Sequence, residues 1–136
     1  MFPIFADACY WIAILHERDA QHEMALLLQS ELRRRHKITT EMVLVEVLNF
    51  FGEFGAGGRQ LAVQLVRDLT VDDTVDVIEQ TSLQFWRAVD FYNARPDQEW
   101  GLVDCASFQI MAERNIREAL TNDHHFTQAG FTILMQ

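Results

Sequence analysis

Short apolar runs and longer amphipathic stretches alternate along the whole chain. Met1–Ala6 is apolar up to Asp7, with Pro3 near its start where a strand tolerates proline, and reads as a buried strand. Ala8–Leu15 reads as a short helix that Asp7 can cap. A second helix is expected over Ala20–Arg34, introduced by Asp19, with Met24, Leu27 and Leu28 as its apolar stripe. Lys37–Thr39 is a brief strand, after which Thr40 caps a helix over Glu41–Phe54 rich in Val, Leu and Phe. Gly52, Gly55, Gly57 and Gly58 mark a break, and the helical pattern resumes from about Arg59 to Leu69.

The second half repeats the alternation. Thr74–Ile78 alternates apolar and polar residues and is β-branched, which predicts a strand. Gln80–Ala94 is helical, and Arg95–Trp100, with Pro96, is a loop. Gly101–Asn115 is a largely buried helix through Val103, Ala106, Phe108, Ile110 and Met111, yet its first turn carries Asp104. Glu118–Thr121 is a short strand ending near Asp123, His124–Gln128 is one helical turn closed by Gly130, and Phe131–Met135 is the last strand. Strands alternating with helices imply an α/β fold, with a parallel sheet, helices on both faces and right-handed crossovers.

At 136 residues, and without repeats or linkers, the chain is expected to be one domain spanning 1–136. Its ten Phe, three Trp and 49% hydrophobic content describe an ordinary globular protein. No apolar run approaches the ~20 residues of a membrane span. The apolar N-terminus lacks a basic region and is interrupted by Asp7, so it is not read as a signal peptide and a cytoplasmic protein is expected. Cys9 and Cys105 form no CxxC or metal pattern and are expected to be reduced thiols.

A net charge of −9 argues against a protein held on nucleic acid by a general positive field, although acids that hold metal ions invert the local charge. Arg33, Arg34, Arg35 and Lys37 sit together and offer either a phosphate contact or a solvated helix end. The acids are more informative. In an open α/β sheet, ligands bind beyond the carboxyl ends of the strands. Asp7 and Asp123 follow predicted strands, Asp104 opens a helix, and Glu46 lies among Met42, Val43, Val47 and Phe50. Each has a local alternative: a cap for Asp7 and Asp123, a dipole partner for Asp104, and a snorkelling or salt-bridged side chain for Glu46. Gathered at one edge, they would repel one another unless a divalent cation joined them. Oxygen-only ligands suit Mg²⁺ or Mn²⁺, and phosphodiester hydrolysis is the matching reaction class.

Other chemistries find little support. GxGxxG, GxxxxGK[ST] and GxSxG are absent, and no local signature joins either cysteine to a histidine. A phosphoacceptor receiver domain needs a late lysine, whereas Lys37 is the sole lysine. A haloacid-dehalogenase-type phosphatase needs a second Asp two residues after Asp7, where Cys9 stands. His124 and His125 offer a transition-metal pair or, equally well in the sequence, surface and capping residues.

Four segments together resemble the PIN domain, and most closely the VapC-like toxins of toxin–antitoxin modules. They are FADACYWIAIL around Asp7, TTEMVLVEVLNFF around Glu46, WGLVDCASFQIM around Asp104, and ALTNDHHFTQAGF around Asp123. The resemblance implies a three-layer α/β/α fold with a mostly parallel, short-stranded sheet, and a metal-dependent endoribonuclease. It implies that Asp7, Glu46, Asp104 and Asp123 hold Mg²⁺ or Mn²⁺ against RNA, with Glu41 the competitor for the second position. It also implies a homodimer and a cognate antitoxin protein that blocks the site. Trp11, Phe54 and Trp86 are candidates for such surfaces or for the core. One position departs from the family: Ala8 stands where Thr or Ser usually follows the first Asp, leaving Thr121 and Ser107 as nearby hydroxyls. That departure motivates an alternative, a PIN-like protein-binding module with weakened catalysis. A structure-specific DNA nuclease of the same superfamily is disfavoured by the short chain.

Overall fold

The structure, a computed structural model, describes residues 2–136. The strands are β1 (Ile4–Ala6), β2 (Lys37–Thr40), β3 (Val75–Ile78), β4 (Glu118–Leu120) and β5 (Thr132–Ile133). The helices are α1 (Ala8–Leu15), α2 (His22–Glu31), α3 (Glu41–Phe51), α4 (Gly55–Val71), α5 (Ser82–Ala94), α6 (Leu102–Glu113) and α7 (His124–Gln128). The sheet order is β3-β2-β1-β4-β5, every pair parallel, so the expected α/β architecture is present. Met1, part of the first predicted strand, lies outside the described residues.

Buried Ile4, Phe5, Tyr10, Met111, Ile116, Leu120 and Phe126 form the centre of the core. An aromatic chain ties three elements together beneath one end of the sheet. Trp100 meets Phe108 with ring centroids 5.0 Å apart, Phe108 meets Phe126 at 4.9 Å, and Phe126 meets Phe5 at 6.2 Å. Phe108 stands one turn beyond Asp104 and Phe126 stands beside His125, so this packing fixes the spacing of α6 and α7.

Several boundaries differ from the sequence pattern for local reasons. The second helix covers only His22–Glu31, because Asp19 forms a turn by accepting the Gln21 N–H at 2.8 Å and the backbone turns again at Leu32. The third helix stops at Phe51, not Phe54, and the fourth begins at Gly55, not Arg59. Gly55 takes φ 74°, a left-handed backbone that glycine adopts at little cost, and starts the new helix directly after the turn. At Gly58 a Cβ would lie 2.3 Å from the Phe54 Cβ, so absence of a side chain there permits close packing rather than breaking the helix. The fifth helix starts at Ser82, where Thr81 and Gln84 form a reciprocal capping box. The last strand is just Thr132–Ile133.

Candidate metal centre

Strand register builds the centre. β1 pairs with β4 through Phe5↔Ala119 and Ala6↔Leu120, so the next residue on each strand, Asp7 and Thr121, emerges at the same carboxyl edge. The Asp7 N–H donates to the Leu120 carbonyl at 3.2 Å, extending the pairing one step. Thr121 Oγ1 then donates to Asp7 Oδ2 at 2.9 Å. The same hydroxyl accepts the Asp123 N–H at 3.1 Å and lies 3.1 Å from Cys9 Sγ. Thus Thr121 links the first acid to the last.

Asp7 occupies the N-cap position of α1 but makes no side-chain cap bond, which removes the capping account of this residue. Asp123 does cap: its Oδ1 accepts the His125 N–H at 2.9 Å. Asp104 keeps its local role and gains another. Its Oδ2 accepts the Gly101 N–H at 3.2 Å and also meets His125 Nδ1 at 3.1 Å. His125 Nδ1 is 3.5 Å from Asp123 Oδ1, so this imidazole spans two of the acids.

Glu46 reaches the edge from α3. The helix buries Val43, Leu44, Val47 and Phe51 and leaves residue 46 exposed, although its neighbours in sequence are apolar. Neighbours four apart share a face, whereas adjacent ones do not, so Val47 is buried without enclosing Glu46. Protein still crowds its carboxyl: burial, followed by repulsion from Asp7, Asp104 and Asp123, pushes Glu46 up to about 7. Glu41 is engaged elsewhere, since its Oε1 accepts the Gln80 N–H at 2.7 Å and ties α3 to the start of the β3–α5 connection.

The electrostatics of Asp7, Glu46 and Asp104 agree with the geometry. Burial, the largest cause, pushes Asp7 up to about 6; bonds from Ala8 and Thr121 oppose the rise, and Asp104 and Asp123 add to it. Asp104 is also raised, first by burial and further by Asp123, against the lowering effects of Gly101 and His125. Among the described residues no lysine or arginine pairs with any of the four. Carboxylates from four separate elements therefore share one edge with a like-charge repulsion that His125 offsets only at Asp104 and Asp123. A donor set of hard oxygens in that state fits a divalent cation, which relieves the repulsion directly.

The basic cluster lies at the opposite end. Lys37 opens β2 and is buried, donating from Nζ to the Leu32 and Arg35 carbonyls at 3.0 and 3.3 Å. Arg35 pairs with Glu118 at 3.0 Å, at the start of β4. These residues fasten the amino edge of the sheet and do not line the acid edge. Trp11 is 3% exposed and donates to Thr39 at 3.3 Å, so it belongs to the core, whereas Phe54 at 44% and Trp86 at 61% are exposed. Sequence reasoning offered His125 as half of a transition-metal pair or as a surface or capping residue and left Thr121 ambiguous; the contacts of both to the acids cross between elements.

Acids at the carboxyl edge of a parallel α/β sheet lie where such folds bind ligands, and the PIN domain family pattern matches residues 4–132; the chain belongs to that family. It is similar to the 23S rRNA-specific endonuclease VapC20 of Mycobacterium tuberculosis, with 27% identity over 128 residues, covering 94% of this chain and 95% of that protein. The crystal structure of that sarcin–ricin loop cleaving toxin matches with a TM-score of 0.85 at 25% identity, over 98% of this chain and 99% of the other. VapBC2 from Rickettsia felis shares the fold, with a TM-score of 0.66 at 11% identity over 98% of each chain.

Proposed function

We propose that this chain is an endoribonuclease of the VapC kind, the toxin of a type II toxin–antitoxin pair. Asp7, Glu46, Asp104 and Asp123 hold Mg²⁺ or Mn²⁺ at the RNA phosphodiester. The observation that carries this reading is the convergence of four carboxylates on one sheet edge without a lysine or arginine partner. A divalent ion bound there lowers the pKa of water and stabilises the charge that develops during phosphodiester displacement.

The chain's own residues supply position. Thr121 holds Asp7 and, through the Asp123 N–H, the turn that carries Asp123. Gly101 fixes the rotamer of Asp104, and the Phe108–Phe126 contact fixes the helices behind Asp104 and His125. Ala8 removes one hydroxyl from the family pattern, yet Thr121 already places one on Asp7; this favours an active nuclease over a purely protein-binding module.

The relative's target makes a 23S rRNA loop the first substrate to assay. A VapB-like antitoxin is the expected protein partner. Leu83 and Trp86, three apart and exposed on α5, are suited to a homodimer contact. No helix among the described residues is long and apolar enough to cross a membrane. The test is cleavage of that RNA with EDTA and after Mg²⁺ or Mn²⁺ is restored. Loss and recovery support the reading; cleavage unaffected by EDTA contradicts it.

A further inference from the structure

The aromatic chain behind the acids borders a cavity of about 230 Å³. Its walls come from the end of α5, from α6, and from the end of α7 with the turn that follows. Two of these helices also carry acids: Asp104 lies in the first turn of α6, and Asp123 caps α7. Phe108, in the cavity wall, follows Asp104 by four residues. That is about 6 Å along the helix, the span of about two stacked nucleotides at ~3.4 Å each.

The lining combines flat aromatic faces with a cation. Phe91, Trp100 and Phe131 line the cavity, and the Arg95 guanidinium lies over the Trp100 ring, 4.8 Å from its centroid. Asp97 holds the guanidinium in place, accepting from Nε and from Nη2 at 3.0 Å each, so Nη1 has no partner among the described residues. Two amides at the rim have opposite halves free. Gln109 Nε2 donates to the Arg87 carbonyl at 3.1 Å, which leaves its Oε1 as an acceptor. Gln128 Oε1 accepts the Trp100 indole N–H at 3.1 Å, which leaves its Nε2 as a donor. A nucleobase answers each of these features, because it carries donors and acceptors on its edge and a π face on either side. An aliphatic ligand would answer only the walls. Bases inside a helix are stacked and paired, so the matching ligand is a base from a single-stranded loop.

We propose that this cavity takes one unpaired base of the RNA substrate, within about two nucleotides of the cleaved bond. Phe131 and Arg95 stack on the base, and Gln109 and Gln128 meet its edge. The inference rests on the nuclease reading of the acids and adds a specificity site to it. It also gives a chain of net charge −9 a means of holding RNA through stacking and a local cation, without a general positive field.

The test is cleavage of a 23S rRNA loop in Mn²⁺, using the intact RNA and a series made abasic at one nucleotide at a time on either side of the cleaved bond. For the wild type, one abasic position is expected to raise KM by about tenfold or more, the scale of one lost base–aromatic stack, with kcat little changed. Phe131→Leu keeps an apolar side chain and removes the π face. That variant and Arg95→Ala are expected to raise KM on the intact RNA and to add almost nothing on that one abasic RNA. Phe131→Tyr is expected to behave as the wild type, and calorimetry is expected to give all four proteins the same Mn²⁺ affinity. The wild-type series does not depend on a variant folding: if no abasic position raises KM, the base site is overturned. Variants that lose nothing, or lose the same factor on every RNA through weaker Mn²⁺ binding or a changed oligomeric state, also overturn it while the acid centre stands. A wild type that leaves every RNA intact overturns both.

Discussion

Thr121 donates its hydroxyl to Asp7 across the β1–β4 pair, at 2.9 Å, one step beyond the Ala6↔Leu120 register. Replacing it with valine keeps the volume and removes the donor. A hydrogen bond to a charged group contributes about 1.5–3 kcal/mol. Partners that orient metal ligands affect affinity by about 10–100-fold. Thr121→Val is therefore expected to weaken Mn²⁺ binding by about tenfold or more and to slow RNA cleavage. Thr121→Ser is expected to preserve both. Calorimetry and a cleavage assay on the pair of variants check this.

Asp7 gives a pH prediction for the metal-free protein. Its pKa is raised from 3.8 to about 6 in the folded state. The folded protein then binds the proton more tightly than the unfolded chain, so stability is greatest below pH 3.8 as far as this group is concerned and declines as pH rises through about 6. Two units correspond to about 3 kcal/mol. Glu46, raised from 4.5 to about 7, acts in the same direction and carries the decline toward neutral pH. Asp7→Asn removes the first contribution. Urea unfolding in EDTA is expected to show the variant gaining stability over wild type between pH 4 and 7, and saturating Mn²⁺ is expected to narrow the gap.

Glu41 and Glu46 separate cleanly. Glu41 accepts the Gln80 N–H, a structural bond that ties α3 to the segment after β3. Glu41→Gln should leave RNA cleavage unchanged and cost about 1 kcal/mol at most. Glu46→Gln should reduce cleavage by about tenfold or more while raising the unfolding midpoint in EDTA at neutral pH, because it removes a carboxyl raised to about 7. Parallel kinetics and denaturation on both variants distinguish the two glutamates.

Phe126 links the core to the site. It is fully buried, touching Phe5 on β1 and Phe108 on α6. Phe126→Ala is expected to cost about 3–5 kcal/mol through the cavity it leaves. Because the preceding residue anchors to Asp123, metal affinity should fall too. Denaturant unfolding and Mn²⁺ titration of the same sample measure both effects.

The alternation of short apolar runs with helical stretches was sufficient to read a parallel α/β sheet, because β1 and β2 are buried on both faces and the helices between strands are amphipathic. Asp7 and Asp123 were legible as candidates because Asp7 directly follows β1 and Asp123 lies three residues beyond β4. Asp104 was legible because an acid opening a buried helix invites an explanation. What escaped the sequence depends on contacts between distant segments. The Thr121 hydroxyl meets Asp7 only once β1 and β4 are in register, and His125 meets Asp104 only once α7 packs on α6. The reach of the fourth helix back to Gly55 escaped because a glycine cluster reads as a break until Phe54 packs against Gly58. The Arg33–Lys37 cluster lies at the end of the sheet opposite the acids, since Lys37 begins a strand whose other end faces them.

The account rests on the acids acting as one metal-dependent nuclease centre. Its most direct test is single-turnover cleavage of a 23S rRNA loop by wild type, Asp7→Asn and Asp104→Asn in Mn²⁺, with cooperative unfolding measured on each. The expected result is cleavage by the wild type and a loss of about 100-fold or more in both variants, each still folded. Cleavage at the wild-type rate by either folded variant would contradict the account.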